Sequence, residues 1–261
     1  MATTAIERQP FVAPFENTNK DFGTVFWEFM STKQKDLVKL FGYATGWTSI
    51  SLPSDDPTGQ LCGRVSGFMG DTKNLLSALE IPDKTVKLRK AVSDFIAEPS
   101  FEGARKVLFK ELTGLINPVC DGIDFSTKFV PITTEAMRAV KTVNFSATLI
   151  GAGNSAVEQV QKINNLTEID TQKTTLHLIN IARDVSYVAL AVIGLSSIFL
   201  GFAAAPWMFL TCLTSGLLFT IGGFFYDRVV VNMNNEHTDM NRANANLRAE
   251  VTYLRNAAVA V

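Results

Sequence analysis

Charge is what this sequence has least of. Charged residues make up 19% of its 261 residues, against about 25% in average soluble domains. Neither sign is in excess, with 24 basic residues against 25 acidic ones and a net charge of −1. No global basic field exists to gather a polyphosphate backbone, which excludes nucleic acid as a general partner. Cysteine is scarce too: Cys62, Cys120 and Cys212 lie far apart, with no CxxC or Cys/His cluster. That spacing argues against a zinc site or a disulfide framework. Histidine occurs only at His177 and His237. With no nucleophile–base pattern, phosphate loop or metal-ligand spacing, the sequence offers no catalytic constellation. No enzyme activity, cofactor, metal or small-molecule substrate is therefore expected. Disorder over the whole length is excluded, because 47% of residues are apolar. The start of the chain lacks a basic segment followed by an apolar one, and Glu7 and Arg8 interrupt it early. It reads as a flexible leader over residues 1–30 and not as a secretory signal.

What is present is one long charge-free run. Asp184 and Asp227 bracket the 42 residues Val185–Tyr226, which contain no Asp, Glu, Lys or Arg. A single bilayer crossing needs about 20 apolar residues, so the run is long enough for two. Its middle holds Ala205-Pro206-Trp207. Proline starts a helix better than it continues one, and tryptophan favours the bilayer interface. These residues predict a transmembrane hairpin, 185–204 and 207–226, around a tight turn at Ala205, Pro206 and Trp207. Ser197, Gly201 and Ala205 recur every fourth residue, as do Cys212, Gly216 and Thr220. Small residues at this spacing let helix backbones approach in lipid. Ser197, Gly201, Gly216 and Gly223 are thus expected at helix contacts. The turn holds no Lys or Arg, whereas Lys173, Arg183, Arg228 and Arg242 flank the outer ends. The positive-inside rule then places both termini in the cytoplasm.

The segment 31–180 is expected to be a cytoplasm-facing helical region punctuated by proline and glycine. Ser31 and Gln34 form a potential capping box, followed by Leu37, Leu40, Phe41 and Ala44 at helical spacing. Lys33, Lys35 and Lys39 lie on other faces of that helix. A basic amphipathic helix can rest on anionic lipid, or it can be an ordinary surface helix over a core. SLPSDDPTG, residues 51–59, predicts a loop. Further helices are expected near 62–79, 83–97, 101–116, 119–129 and 132–163. Prolines 82, 99, 118 and 131 sit at or beside helix starts. The basic residues between 87 and 110 form a solvated face or one turned toward anionic lipid.

Residues 147–156 (ATLIGAGNSA) match a dinucleotide-binding fingerprint, with Glu168 and Asp170 at about the offset of a ribose-binding acid. The fingerprint needs alternating strands and helices, and none of that pattern surrounds it. Gly151 and Gly153 are better explained by close helix packing or a kink.

Beyond the hairpin the period changes to seven. Met233, Met240, Leu247 and Leu254 are seven apart, and Val230, His237, Asn244 and Val251 precede each by three. This a/d pattern predicts a coiled-coil helix over 227–261. The polar residues His237 and Asn244 would set register at some cost in stability. Its partner is either a second copy of the chain or the preceding helix around 171–183, with Leu176, Ile179 and Ala182.

The hairpin Val185–Tyr226 followed by the heptad arm Val230–Leu254, together with the Thr-rich start, resembles inclusion-membrane proteins of chlamydia-type intracellular bacteria. The stretches TKQKDLVKLFGY (32–43) and LINIARD (178–184) are similar in style to the peroxisomal membrane-elongation family called peroxin-11. Either resemblance implies a non-enzymatic protein that marks, shapes or tethers a membrane, in the first case that of a pathogen's inclusion. The expectation is an all-α integral membrane scaffold or tether. Its partners would be membrane lipid, other copies of itself, or membrane and cytosolic proteins. The alternatives are membrane remodelling through the basic helix, or a structural subunit of a larger membrane complex.

Overall fold

The computed structural model describes residues 22–98, 102–166 and 171–231, and among these no strand occurs. The chain is all-α. The described residues form eight α-helices, in order α1 (Phe22–Thr32), α2 (Gln34–Ser51), α3 (Pro57–Leu79), α4 (Ile81–Ala97), α5 (Glu102–Ser126), α6 (Thr134–Asn164), α7 (Thr171–Phe199) and α8 (Pro206–Phe225). A π-helical turn, Tyr226–Val231, extends α8.

Several boundaries have local causes. Asp56 caps α3, accepting from the backbone N–H groups of Thr58 and Gly59, with Pro57 at the first helical position. Thr133 caps α6 by accepting from the Ala136 N–H. Ala205 precedes α8, whose first residue is Pro206. The α7–α8 turn is 200–205, and its Gly201 has φ +66°, a conformation that costs residues with a Cβ.

Other expectations need correction. Residues 22–30 are not leader: they belong to α1, and Phe22 and Phe29 stack on Phe224 and Phe225 at ring separations near 5.5 Å. Ser31 caps nothing. It lies inside α1 and its hydroxyl donates to the Glu28 carbonyl. The helices expected at 101–116 and 119–129 are one, α5, with Pro118 inside it. The span expected to begin at 185 is the second half of α7, which starts fourteen residues earlier at Thr171. That helix ends at Phe199, so Gly201 serves the turn and not a helix contact, while Pro206 and Trp207 begin α8. The GAGNSA stretch lies within α6 with no strand before it. Of the heptad positions, Val230 falls in the π-helical turn. Met233, His237, Met240, Asn244, Leu247, Val251 and Leu254 lie outside the described residues.

The helices pair as antiparallel hairpins, α2–α3, α5–α6 and α7–α8, and these close into a ring. Going round it, α2 touches α3, α3 touches α5, α5 touches α6, α6 touches α7, α7 touches α8, and α8 returns to α2. Helix α4 lies outside the ring against α5. Glycines allow the tightest approaches. A Cβ on Gly194 would lie 2.5 Å from the Phe145 ring, and one on Gly216 would lie 2.9 Å from Tyr187. Polar bonds join other neighbours. Trp47 donates its indole N–H to the Thr214 hydroxyl at 3.0 Å, and the Ser66 hydroxyl donates to the Gly42 carbonyl at 2.8 Å. Arg138 donates to the Ile198 carbonyl at the end of α7. These contacts set the α2–α3 turn, the α5–α6 turn and the α7–α8 turn at one end of the bundle. The segment 31–180 is accordingly no separate region. Its helices α2 and α6 run beside the apolar hairpin.

Candidate functional site: a polar cavity inside the helix ring

Polar residues recur at intervals of three, four or seven positions on one side of the ring helices, which is the condition for a helix to aim them all one way. Lys35, Lys39 and Tyr43 do so on α2, Asn117 and Asp121 on α5, Asn144, Thr148 and Ser155 on α6, and Asp184 and Tyr187 on α7. With Lys73 of α3 and Phe209 and Leu213 of α8, they line a cavity of about 590 Å³ to which all six ring helices contribute. It adjoins a second space of about 480 Å³ through the shared walls Asp121, Asn144, Phe145 and Phe209.

The lysines of the cavity wall are half-buried and each has a carboxylate partner. Lys39 pairs with Asp36 at 2.8 Å, Lys73 with Asp121 at 2.7 Å and Lys35 with Glu80 at 3.1 Å. Arg183 holds one carboxylate oxygen of Asp184 through both Nε and Nη2, at 2.8 and 2.7 Å. Beside the cavity Lys73 also donates to Asn74, whose amide in turn donates to Asp124. Burial disfavours the charge on Lys39, but Asp36 together with Tyr187 and Asp121 outweighs it and holds the pKa above the ordinary lysine value. On Lys73 burial wins: its pKa lies below the ordinary value despite Asp121, and Lys39 and Lys35 push it the same way. Burial keeps the Tyr43 phenol protonated far above its ordinary range.

Two acceptors in this wall are left over. Asp184 is 3% exposed, and its Oδ2 has no hydrogen-bond partner. The Asn117 Oδ1 is likewise buried and unpartnered. Next to Asn117, Pro118 has no N–H for the Gly114 carbonyl four residues back, and Gly114 also faces the cavity. Buried polar groups in folded proteins nearly always find partners, so the Asp184 and Asn117 oxygens mark a place built for something that donates hydrogen bonds.

The residues expected to touch lipid are placed otherwise. Lys35 and Lys39 point into the ring, and Lys33 lies between α1 and α2 with its ammonium 5.9 Å above the Phe224 ring. No basic helix face is left for a membrane surface there. Of the expected packing residues, Gly216 and Gly223 do meet α7, at Tyr187 and Ile179, and Ser197 borders the second cavity. Sequence reasoning missed Lys73, Asn117, Asp121, Asp184 and Tyr187 as one group. Asp184 drew notice only as the edge of the charge-free run. The available signal was the fourfold spacing of polar residues on otherwise apolar helices. Among the described residues no group of three or more His, Cys, Asp or Glu is arranged to hold a metal ion.

Outside the ring the surface is apolar where the hairpin lies. Helices α7 and α8 are long and apolar enough to cross a membrane, and only 17% of the most apolar window of each is buried. No protein-family model matches the chain, and no curated protein or solved structure shows significant similarity to it.

Proposed function

We propose that this chain is an integral membrane protein, anchored by α7 and α8, that acts as a membrane scaffold or tether and catalyses no reaction. One observation carries the reading. A charge-free hairpin that served as the core of a soluble bundle would be fully wrapped by its neighbours, yet only 17% of the most apolar window of each of its helices is buried. Lipid is the solvent that such a surface fits. The polar bonds Trp47–Thr214 and Arg138–Ile198, which tie α2 and α6 to the hairpin, are the type of contact that joins helices in a bilayer. The uncharged stretches 40–51 of α2 and 142–157 of α6 lie along it.

Because α7 and α8 are antiparallel, the start of α7 and the end of α8 lie on the side away from the 200–205 turn. The basic residues flanking the outer ends make that side cytoplasmic. The heptad positions from Val230 to Leu254 supply the contact for a second copy or another protein, and the resemblance to inclusion-membrane proteins supports the membrane of a pathogen-modified vacuole. Alkaline carbonate extraction of the full chain tests the anchor. The expected result is complete retention in the membrane pellet, and release as soluble protein refutes it. Light scattering on the detergent-solubilised chain tests the tether. Self-association is expected, and Leu247→Asp with Leu254→Asp lowers the mass to that of one copy.

A further inference from the structure

We propose that the cavity between the ring helices is a binding site for a small phosphate monoester that also carries hydroxyl groups. Lys39 and Lys73 hold its phosphate, and Asp184 and Asn117 accept hydrogen bonds from its hydroxyls. The inference stands on the cavity and does not depend on the scaffold reading.

Three lysines from two helices, Lys35, Lys39 and Lys73, meet at one wall, near enough that the first two depress the protonation of the third. Packing ammonium groups together away from water is unfavourable unless anions compensate them. Asp36, Glu80 and Asp121 neutralise one ammonium each, but as partners they do not use all of the N–H donors. An ammonium has three N–H donors; in the hydrogen bonds described above, Lys35 and Lys39 each use one and Lys73 uses two. Donors therefore remain on all three, and all three lysines line the same cavity. A single carboxylate ligand would serve one or two of them, whereas a phosphate presents three acceptor oxygens and up to two charges to the group. Lysine serves such a ligand as a point charge. The opposite requirement holds across the cavity. Asp184 Oδ2 and Asn117 Oδ1 are buried acceptors without donors, and inorganic phosphate at neutral pH has little to offer them. Hydroxyl groups on the esterified part do. The volume, about 590 Å³, lies within the range of small-molecule sites.

The ester could be a free solute or the headgroup of an anionic lipid whose tails leave between helices. Full-length protein in uncharged detergent distinguishes them, with 31P line broadening and thermal midpoint as readouts. The probes are glycerol 3-phosphate, inorganic phosphate, glycerol, and micelles doped with phosphatidylinositol phosphate. Saturable broadening of glycerol 3-phosphate with a raised midpoint, and at least tenfold weaker binding of inorganic phosphate and glycerol, is expected for a solute site. Saturation by the doped lipid alone assigns the same chemistry to a headgroup. Lys39→Met is expected to weaken binding tenfold or more. Lys73→Arg retains both the charge and the Asp121 pair, and binding should survive it. Asp184→Asn, which keeps the shape of the side chain, should reduce the preference for glycerol 3-phosphate over inorganic phosphate. If no phosphate probe binds saturably to the native chain, or if binding is unchanged in Lys39→Met and Asp184→Asn alike, the proposal is wrong.

Discussion

Gly194 offers the most direct test of the ring. It sits on α7 where α6 crosses closest, and a Cβ there would fall 2.5 Å from Cε2 and Cζ of Phe145. That is inside the contact distance of two carbons by more than 1 Å, so either the ring turns away or the two helices separate. Overpacking of this kind costs about 1–3 kcal/mol. Alanine returns roughly 0.5–1 kcal/mol through its better helix propensity, which leaves a net loss of up to about 2.5 kcal/mol. For a chain of this size 1 kcal/mol shifts the melting midpoint by roughly 2–4 °C, so Gly194→Ala should melt lower by up to about 10 °C, read by circular dichroism in mild detergent. Gly222→Ala is the control. A Cβ at Gly222 meets nothing within 4 Å, so the propensity gain stands alone and the midpoint should rise slightly. The decisive comparison is Gly194→Ala in a Phe145→Ala background, where the obstacle is gone and the substitution should become neutral or stabilising. The coupling between the two positions should reach about 0.5–3 kcal/mol. An equal loss in both backgrounds would show that α6 does not lie against α7 at this point, and the ring would be wrong.

Other outcomes follow from the same contacts. Asp184→Ala strands the partly buried Arg183 guanidinium and should cost up to about 3 kcal/mol, while replacing both residues by leucine should recover most of it; thermal melts of the three variants decide this. Trp47→Phe and Thr214→Val each remove one hydrogen bond worth about 1 kcal/mol, and because it is the same bond their effects on the midpoint should not add. Lys39 has a raised pKa in the folded chain, so its contribution is complete below the ordinary lysine value and lost as pH climbs through the raised one. A pH series of melts up to 11.5 should show that decline, and Lys39→Met should flatten it. In a background without native cysteines, Ser54→Cys and Ala204→Cys should react with an impermeant maleimide from the same side of the membrane, since both turns lie at one end of the bundle; labelling from opposite sides contradicts the ring.

Much of the fold is written locally. The helices around 62–79, 83–97 and 132–163 were legible from periodicity and from proline and capping positions, because such signals act within a few residues. The break expected between 116 and 119 was not there. Pro118 forbids one backbone hydrogen bond, but packing of α5 against α3 and α6 outweighs a local cost of that size. Lys35 and Lys39 show the same limit from another side. Spacing states which helix face they share, and it cannot state whether that face meets lipid, water or a carboxylate on another helix.

By itself, the sequence determined that the chain is helical and that Val185–Tyr226 is apolar enough for two crossings. Both properties are sums over neighbouring residues. Only the tertiary structure decided that the polar stripes of α2, α5, α6 and α7 face one another, with Lys73 of α3 completing the wall. These residues are brought together across as many as 152 positions of chain, from Lys35 to Tyr187. Their meeting depends on how six helices close into a ring, and no local propensity encodes that closure.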